Sequence, residues 1–174
     1  MDLQKEILKE HSKAQTQKIV KFIGSSPARF KELVTVFLAG PYRVTQRAAW
    51  PLAICVEHYP SLVKPHLSAL LKHLDKPGIH DAVKRNTVRL LQHIEIPKRL
   101  HGKVADLCFR YLTDNKENIA VRVFSMTVLG RVAKDNPELQ RELRLIIEDH
   151  LPFASPGYLS RARKVLKNLD RVSL

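Results

Sequence analysis

Apolar residues recur at spacings of three and four along nearly the whole chain, and no convincing stretch alternates strictly between apolar and polar positions. Because that spacing places apolar side chains on one face of an α-helix, the pattern predicts an all-α protein. Interruptions of the pattern coincide with proline, glycine and short polar runs, which commonly begin or end helices. The predicted helices span about residues 3–23, 26–40, 45–58, 61–74, 80–94, 98–112, 118–133, 136–150 and 158–169.

Several helix ends carry specific local signals. Gly24 is expected to end the first helix, and Ser26-Pro27 to begin the second with a capping hydroxyl and a proline at the first helical position. Pro51 falls inside the predicted helix Thr45–His58. Since proline removes one backbone hydrogen bond and crowds the preceding turn, this segment is either one kinked helix or two shorter ones.

A repeat of about 37 residues runs through the chain. The segment Ala120–Val132 aligns with Ala82–Ile94, and the marker positions Arg47, Lys84, Arg122 and Leu159 lie 37, 38 and 37 residues apart. This period fits two short helices and two turns, and one such pair can bury its apolar face only against a neighbouring pair. We therefore predict a single domain of residues 1–174. It comprises a capping helix at 1–23 and four helix pairs at 26–59, 61–95, 97–134 and 137–170.

The segment Cys108–Leu139 resembles a HEAT repeat, with an apolar helix, an Asp-containing turn, and then Val-Arg opening a helix that ends in Leu-Gly. The resemblance implies a right-handed α-α superhelix in which the second helix of each pair lines a concave wall. It also implies contacts between the turn Asp and the following basic residue, namely Asp114 with Arg122 and Asp75 with Lys84. The fourth pair departs from this pattern because Leu159 occupies the basic position.

The charge balance is the unusual global property of the chain. Thirty Lys and Arg residues against seventeen Asp and Glu give a net charge of +13, with a pI near 10.0. Such a charge favours a polyanionic partner, which could be nucleic acid, an acidic protein face or anionic lipid.

Other global features concern the compartment. No window of 18 uncharged apolar residues occurs, so no membrane span is expected. The charged N-terminus has no apolar core of a signal peptide, and a cytoplasmic location is the expectation. The oligomeric state is left open by the sequence.

No arrangement of residues indicates a reaction. The eight histidines include no HExxH pair and are expected to be surface or helix-capping residues, while Cys55 and Cys108 lie in apolar runs and are expected in the core. No GxSxG, GxGxxG or phosphate-binding loop is present. We therefore predict a non-enzyme, with no catalytic residue, no metal ligand and no cofactor.

The candidate partner-binding residues all belong to the second helices of the predicted pairs or directly follow them. Trp50 could stack on a base, although its neighbours Ala48, Ala49 and Leu52 favour a partly buried core position. Basic residues recur at matching repeat positions, such as Arg89 and Lys164, and predict a basic ridge, with an ordinary solvated face as the alternative. The candidates are Arg47, Trp50, Arg85, Arg89, His93, Arg131, Arg161, Lys164 and Lys167.

Two functions follow from this pattern. The first is a non-catalytic binding scaffold whose basic concave surface holds a protein partner, with an acidic segment as one candidate. The second is a nucleic-acid-binding protein, of which a specific form would resemble the HEAT-like alkylpurine DNA glycosylases. Those enzymes need a concave aromatic cluster and an acidic residue, whereas here only Trp50 and Tyr42 lie near Arg47, and this disfavours the glycosylase.

Overall fold

The computed structural model describes residues 1–172, and every regular element in that range is helical, with no β-strand. The prediction of an all-α fold of repeated helix pairs is therefore confirmed. The α-helices are α1 (Leu3–Lys9), α2 (Lys13–Ile23), α3 (Pro27–Ala39), α4 (Tyr42–His58), α5 (Leu67–His73), α6 (Asp81–Leu91), α7 (His101–Thr113), α8 (Ile119–Val132), α9 (Pro137–His150) and α10 (Pro156–Val172). Short 3₁₀ segments occupy Pro60–His66, Lys98–Leu100, Ala133–Asp135 and Leu151–Phe153.

The chain forms two compact units, one of residues 1–95 and one that begins at Ile96. The division falls between the second and the third predicted helix pair. The organisation of residues 1–174 as a single domain stays a prediction, and the two units are described separately below.

In the first unit, α4 is the central helix. It packs against α3, against α6, and against both α1 and α2. Phe30 and Phe37 of α3 are fully buried in the resulting core. The α4 helix runs without interruption through the buried Pro51, so the interpretation of this segment as one helix is correct and the alternative of two shorter helices is not.

The predicted capping helix at residues 1–23 is instead two helices, α1 and α2. The break follows from Ser12, whose side chain accepts a hydrogen bond from the Gln15 backbone N–H at 3.1 Å and so caps α2. The sequence Ser12-Lys13-Ala14-Gln15 carries the S-x-x-Q spacing of a capping box, a signal that would have located this break.

The side chain of Glu6 ties α1 to α2. Gln15 Nε2 donates to the Glu6 backbone oxygen at 2.7 Å and to its carboxylate at 2.9 Å, and Lys18 Nζ approaches the same carboxylate at 3.0 Å. Lys9 donates to the other carboxylate oxygen. These hydrogen bonds, with that of Lys9 the strongest, lower the pKa of Glu6 to about 2.

The predicted helix at 61–74 is also divided, into the 3₁₀ segment Pro60–His66 and the short helix α5. Pro65 lies near the end of the 3₁₀ segment and has no backbone N–H to donate to the previous turn. The α-helical hydrogen-bond pattern therefore begins only after it.

In the second unit, α7 packs along α8, α8 packs beside α10, and α9 contacts both α8 and α10. Gly130 lies where α8 and α10 approach closely, because a Cβ at that position would lie only 3.2 Å from Val165 Cγ1. Fully buried residues such as Leu107, Val128 and Ile147 fill the space between these helices.

Both cysteines are buried, as predicted. Burial raises the pKa of the Cys55 thiol and of the Cys108 thiol to about 12, so both are neutral core groups. None of the helices in residues 1–172 is long and apolar enough to cross a membrane.

Candidate protein-binding surface

In the first unit, the two candidates on α4 contact the α1–α2 region. Arg47 Nη1 donates to the Leu8 backbone oxygen at 2.9 Å and so satisfies a carbonyl in the last turn of α1. Trp50 is half-buried, and its ring meets the edge of His11 with centroids 5.9 Å apart. Both side chains therefore make contacts within the first unit, Arg47 by a hydrogen bond and Trp50 by a ring contact.

The candidates on or just after α6 are more open. Arg85 and His93 are exposed. Arg89 is half-buried and forms an ion pair with Glu57 of α4, with Nη2 and Oε2 2.9 Å apart. Arg85 is therefore the more exposed of the two arginines of α6, and Glu57 offsets the charge of the other one, Arg89.

In the second unit, the composition of the second helices is strongly basic. The α8 segment contains two arginines and no acidic residue, and the α10 segment contains five basic residues and one acidic residue, Asp170. Asp170 forms an ion pair with Arg144 of α9, which also contacts Glu148. The single carboxylate of α10 is therefore neutralised by a neighbouring helix and not by the basic residues of α10.

The candidate residues of the second unit differ in their exposure and in their contacts with neighbouring helices. Arg131, Lys164 and Lys167 are exposed. Arg161 is half-buried and donates from Nη1 to Thr127 Oγ1 at 2.6 Å, which connects α10 to α8. Neither Lys164 nor Lys167 forms an ion pair with any residue in the described range 1–172, and both residues are exposed.

Arg122, a marker of the repeat, has a role that the sequence did not reveal. Its Nε donates to the Leu112 backbone oxygen at 3.1 Å, in the last turn of α7. The expected contact with Asp114 was wrong, because within residues 1–172 the Asp114 carboxylate instead accepts the Lys116 backbone N–H at 2.9 Å. Arg122 thus donates a hydrogen bond to a backbone oxygen in the last turn of α7, and Arg47, at the same repeat position, does so in the last turn of α1.

The histidines follow two different patterns. His80 caps α6, since its Nδ1 accepts the Ala82 backbone N–H at 3.0 Å, as predicted for a capping histidine. The expectation that His73 is a surface or helix-capping residue was wrong: it is 7% exposed, packs on the Phe37 ring at 5.2 Å, and neither ring nitrogen has a hydrogen-bond partner. Burial, with a smaller effect of Lys76, lowers the pKa of His73.

The geometry contains no metal-binding cluster of three or more His, Cys, Asp or Glu side chains within residues 1–172.

A family model described as a HEAT repeat domain matches residues 3–169. Searches of the curated proteins and of the solved structures gave no significant match. The family match covers nearly the whole chain and agrees with the helix pairs and the 37-residue period. The chain therefore belongs to the HEAT-repeat family.

Proposed function

We propose that this chain is a non-catalytic scaffold that holds an acidic segment of a partner protein against the basic faces of its second helices. HEAT repeats generally serve as protein-interaction scaffolds. The observation that supports an acidic partner is the charge of α8 and α10, which together carry seven basic residues and one acidic residue. Since Arg144 of α9 already pairs with that acidic residue, an external carboxylate is the natural counter-charge for α10.

Each unit by itself offers a basic face to a partner. On the first unit this face centres on Arg85, with Arg89 beside it. On the second unit it centres on Lys164 and Lys167 of α10 and Arg131 of α8. Exposed ion pairs contribute little individually, about 0.2–1 kcal/mol each, so several of them must act together to give useful affinity.

The proposal is tested by charge reversal on α10. The variant Lys164→Glu/Lys167→Glu is compared with the wild-type chain in binding to a fluorescent oligoglutamate peptide, followed by fluorescence anisotropy. We expect about a tenfold weaker affinity, equivalent to about 1.4 kcal/mol, because two attractive contacts become repulsive. Both lysines are exposed, so the fold is expected to tolerate the change.

The matched control is Lys98→Glu/Arg141→Glu. Lys98 precedes α7 and Arg141 lies on α9, both are exposed, and the double change alters the net charge by the same amount. We expect less than about a threefold change in affinity. An equal loss in both variants would show that only the overall charge matters, and this would contradict a defined basic face.

A nucleic-acid partner is the second candidate, and the net charge of +13 favours it. Binding of a mixed DNA and RNA oligonucleotide pool would then weaken with salt by about 0.9 log units per log salt for each phosphate neutralised. The Lys164→Glu/Lys167→Glu variant should reduce that slope. Absence of binding at low salt would eliminate this candidate.

A further inference from the structure

The second unit contains a pocket of about 320 Å³ that lies outside the basic faces of α8 and α10. Its wall is formed by the turn before α8, by the first turn of α8, and by the connection from α9 to α10. This volume lies at the lower end of the range for small ligands, and it is large enough for one or two amino-acid side chains.

Two polar groups in the wall of this pocket have unused hydrogen-bonding capacity. Arg122 uses Nε on the Leu112 carbonyl, but its Nη2 is buried and has no partner. Tyr158 is 1% exposed, and its hydroxyl is likewise buried without a partner. The guanidinium carbon lies 5.3 Å from the centroid of the Tyr158 ring, so the Arg122 side chain packs on that ring.

Both groups are hydrogen-bond donors at neutral pH. Arginine carries only donors, and burial raises the pKa of Tyr158, which keeps its hydroxyl protonated. Unpaired buried donors are unfavourable, and a charged acceptor relieves that cost better than a neutral one because charge-assisted hydrogen bonds are stronger. The chemistry of the wall therefore favours an anion.

Two other titratable groups line the pocket. His150 engages the Ile146 backbone oxygen through Nδ1 at 2.7 Å, and its ring lies 6.1 Å from that of Tyr158. Glu117 is the acidic member of the wall, and its carboxylate accepts the Asn118 backbone N–H at 3.0 Å. Glu117 repels any anion in the pocket, and it repels a singly charged carboxylate less than a phosphate, which carries more charge.

Two large apolar side chains of the pocket wall are exposed. Phe153 is 92% exposed and Ile119 is 44% exposed, and both side chains line the pocket. Large exposed aromatic groups beside an arginine are typical anchors of protein–protein interfaces. Nη2 and the phenol hydroxyl are closed to solvent, so an occupant accepts hydrogen bonds from them only after side chains of the pocket wall have moved.

We propose that this pocket binds the carboxylate of a glutamate or aspartate side chain from a partner protein, with an apolar residue of the same segment packing on Phe153. The carboxylate accepts hydrogen bonds from Arg122 and Tyr158. The proposal rests on the scaffold function proposed above, but the pocket contains none of the residues Arg131, Lys164 and Lys167 that form the proposed basic face of this unit, so each can fail without the other.

The test uses two short capped peptides, acetyl-Leu-Glu-Leu-amide and its uncharged analogue acetyl-Leu-Gln-Leu-amide, titrated into the full chain at physiological salt. Binding is followed by NMR through the Arg122 Nε–H and Tyr158 ring signals. We expect saturable shifts of both signals with the Glu peptide, and an affinity at least about tenfold weaker with the Gln peptide. Equal shifts with both peptides would contradict a carboxylate site.

Variants separate the contributions. Tyr158→Phe removes only the unpaired hydroxyl, so the protein should remain folded while the Glu peptide binds about threefold to tenfold more weakly. Phe153→Ala should weaken both peptides, whereas Leu145→Ala, which removes a 67% exposed side chain outside the pocket, should weaken neither. Unchanged affinity in both Tyr158→Phe and Phe153→Ala would overturn the proposal.

The Lys164→Glu/Lys167→Glu variant distinguishes the two proposals. It changes oligoglutamate binding if the basic face of α10 is used, and it should leave the Glu-peptide shifts at Arg122 and Tyr158 unchanged. Loss of those shifts in this variant would show that the peptide binds α10 and not the pocket.

Discussion

Replacing the buried His73 by leucine is expected to stabilise the first unit, although most substitutions at buried positions destabilise. Neither imidazole nitrogen of His73 has a hydrogen-bond partner, and an unpaired buried polar group costs about 1–3 kcal/mol. Leucine has a similar volume and no polar atom. The substitution removes the ring contact with Phe37, which is worth about 0.5–1.5 kcal/mol. We therefore expect the free energy of unfolding to increase by about 1 kcal/mol.

The gain should increase in acid. The pKa of His73 lies below its ordinary value of 6.5 in the folded chain, so the unfolded chain takes up the proton first as the pH falls. The free energy of unfolding of the wild-type protein is therefore unaffected by His73 protonation above about pH 6.5. Below that pH it falls by up to about 1.4 kcal/mol per pH unit until the folded pKa is reached. At about pH 5 the advantage of His73→Leu should have grown by at most about 2 kcal/mol.

Trp50 is the only tryptophan of the chain and lies in the first unit, so its fluorescence reports the unfolding of the unit that contains His73. Urea titrations at about pH 7.5 and about pH 5 would give the free energies of unfolding. His93→Leu, at an exposed position, is the control and should change little. A loss of stability at the higher pH, or a pH dependence equal to that of the wild type, would refute the reasoning.

Three further predictions concern single contacts. Gly40→Ala should destabilise by about 1–3 kcal/mol in urea unfolding, because its Cβ would lie 2.5 Å from the Val36 carbonyl oxygen, whereas Gly102→Ala, whose Cβ meets open space in α7, should stabilise by about 0.5–1 kcal/mol. Glu6→Gln should remove the acid-induced loosening of α1 from α2. The wild-type chain should show that loosening, by hydrogen exchange, as the pH falls from about 4.5 towards the Glu6 pKa of about 2. Arg47→Ala should accelerate hydrogen exchange in the last turn of α1 relative to α7, and equal rates in the variant and the wild type would show that the Leu8 contact contributes nothing.

Local signals in the sequence predicted most helices and their order. Proline after a capping residue at Ser26-Pro27 and at Asn136-Pro137 marks the starts of α3 and α9, since these signals act on backbone groups within one turn. The same locality explains the corrected boundaries. The break at Ser12 was readable from its capping-box spacing, and the 3₁₀ segment before α5 from Pro65, which has no backbone N–H to donate to the previous turn.

The use of each charged side chain was decided by tertiary structure. The sequence determined that second helices such as α10 are basic, because that is a matter of composition along one element. It could not show that Arg47 reaches a carbonyl 39 residues away or that Arg89 pairs with Glu57. A long side chain finds its partner among groups that helix packing brings together, and the pocket beside Arg122 and Tyr158 exists for the same reason.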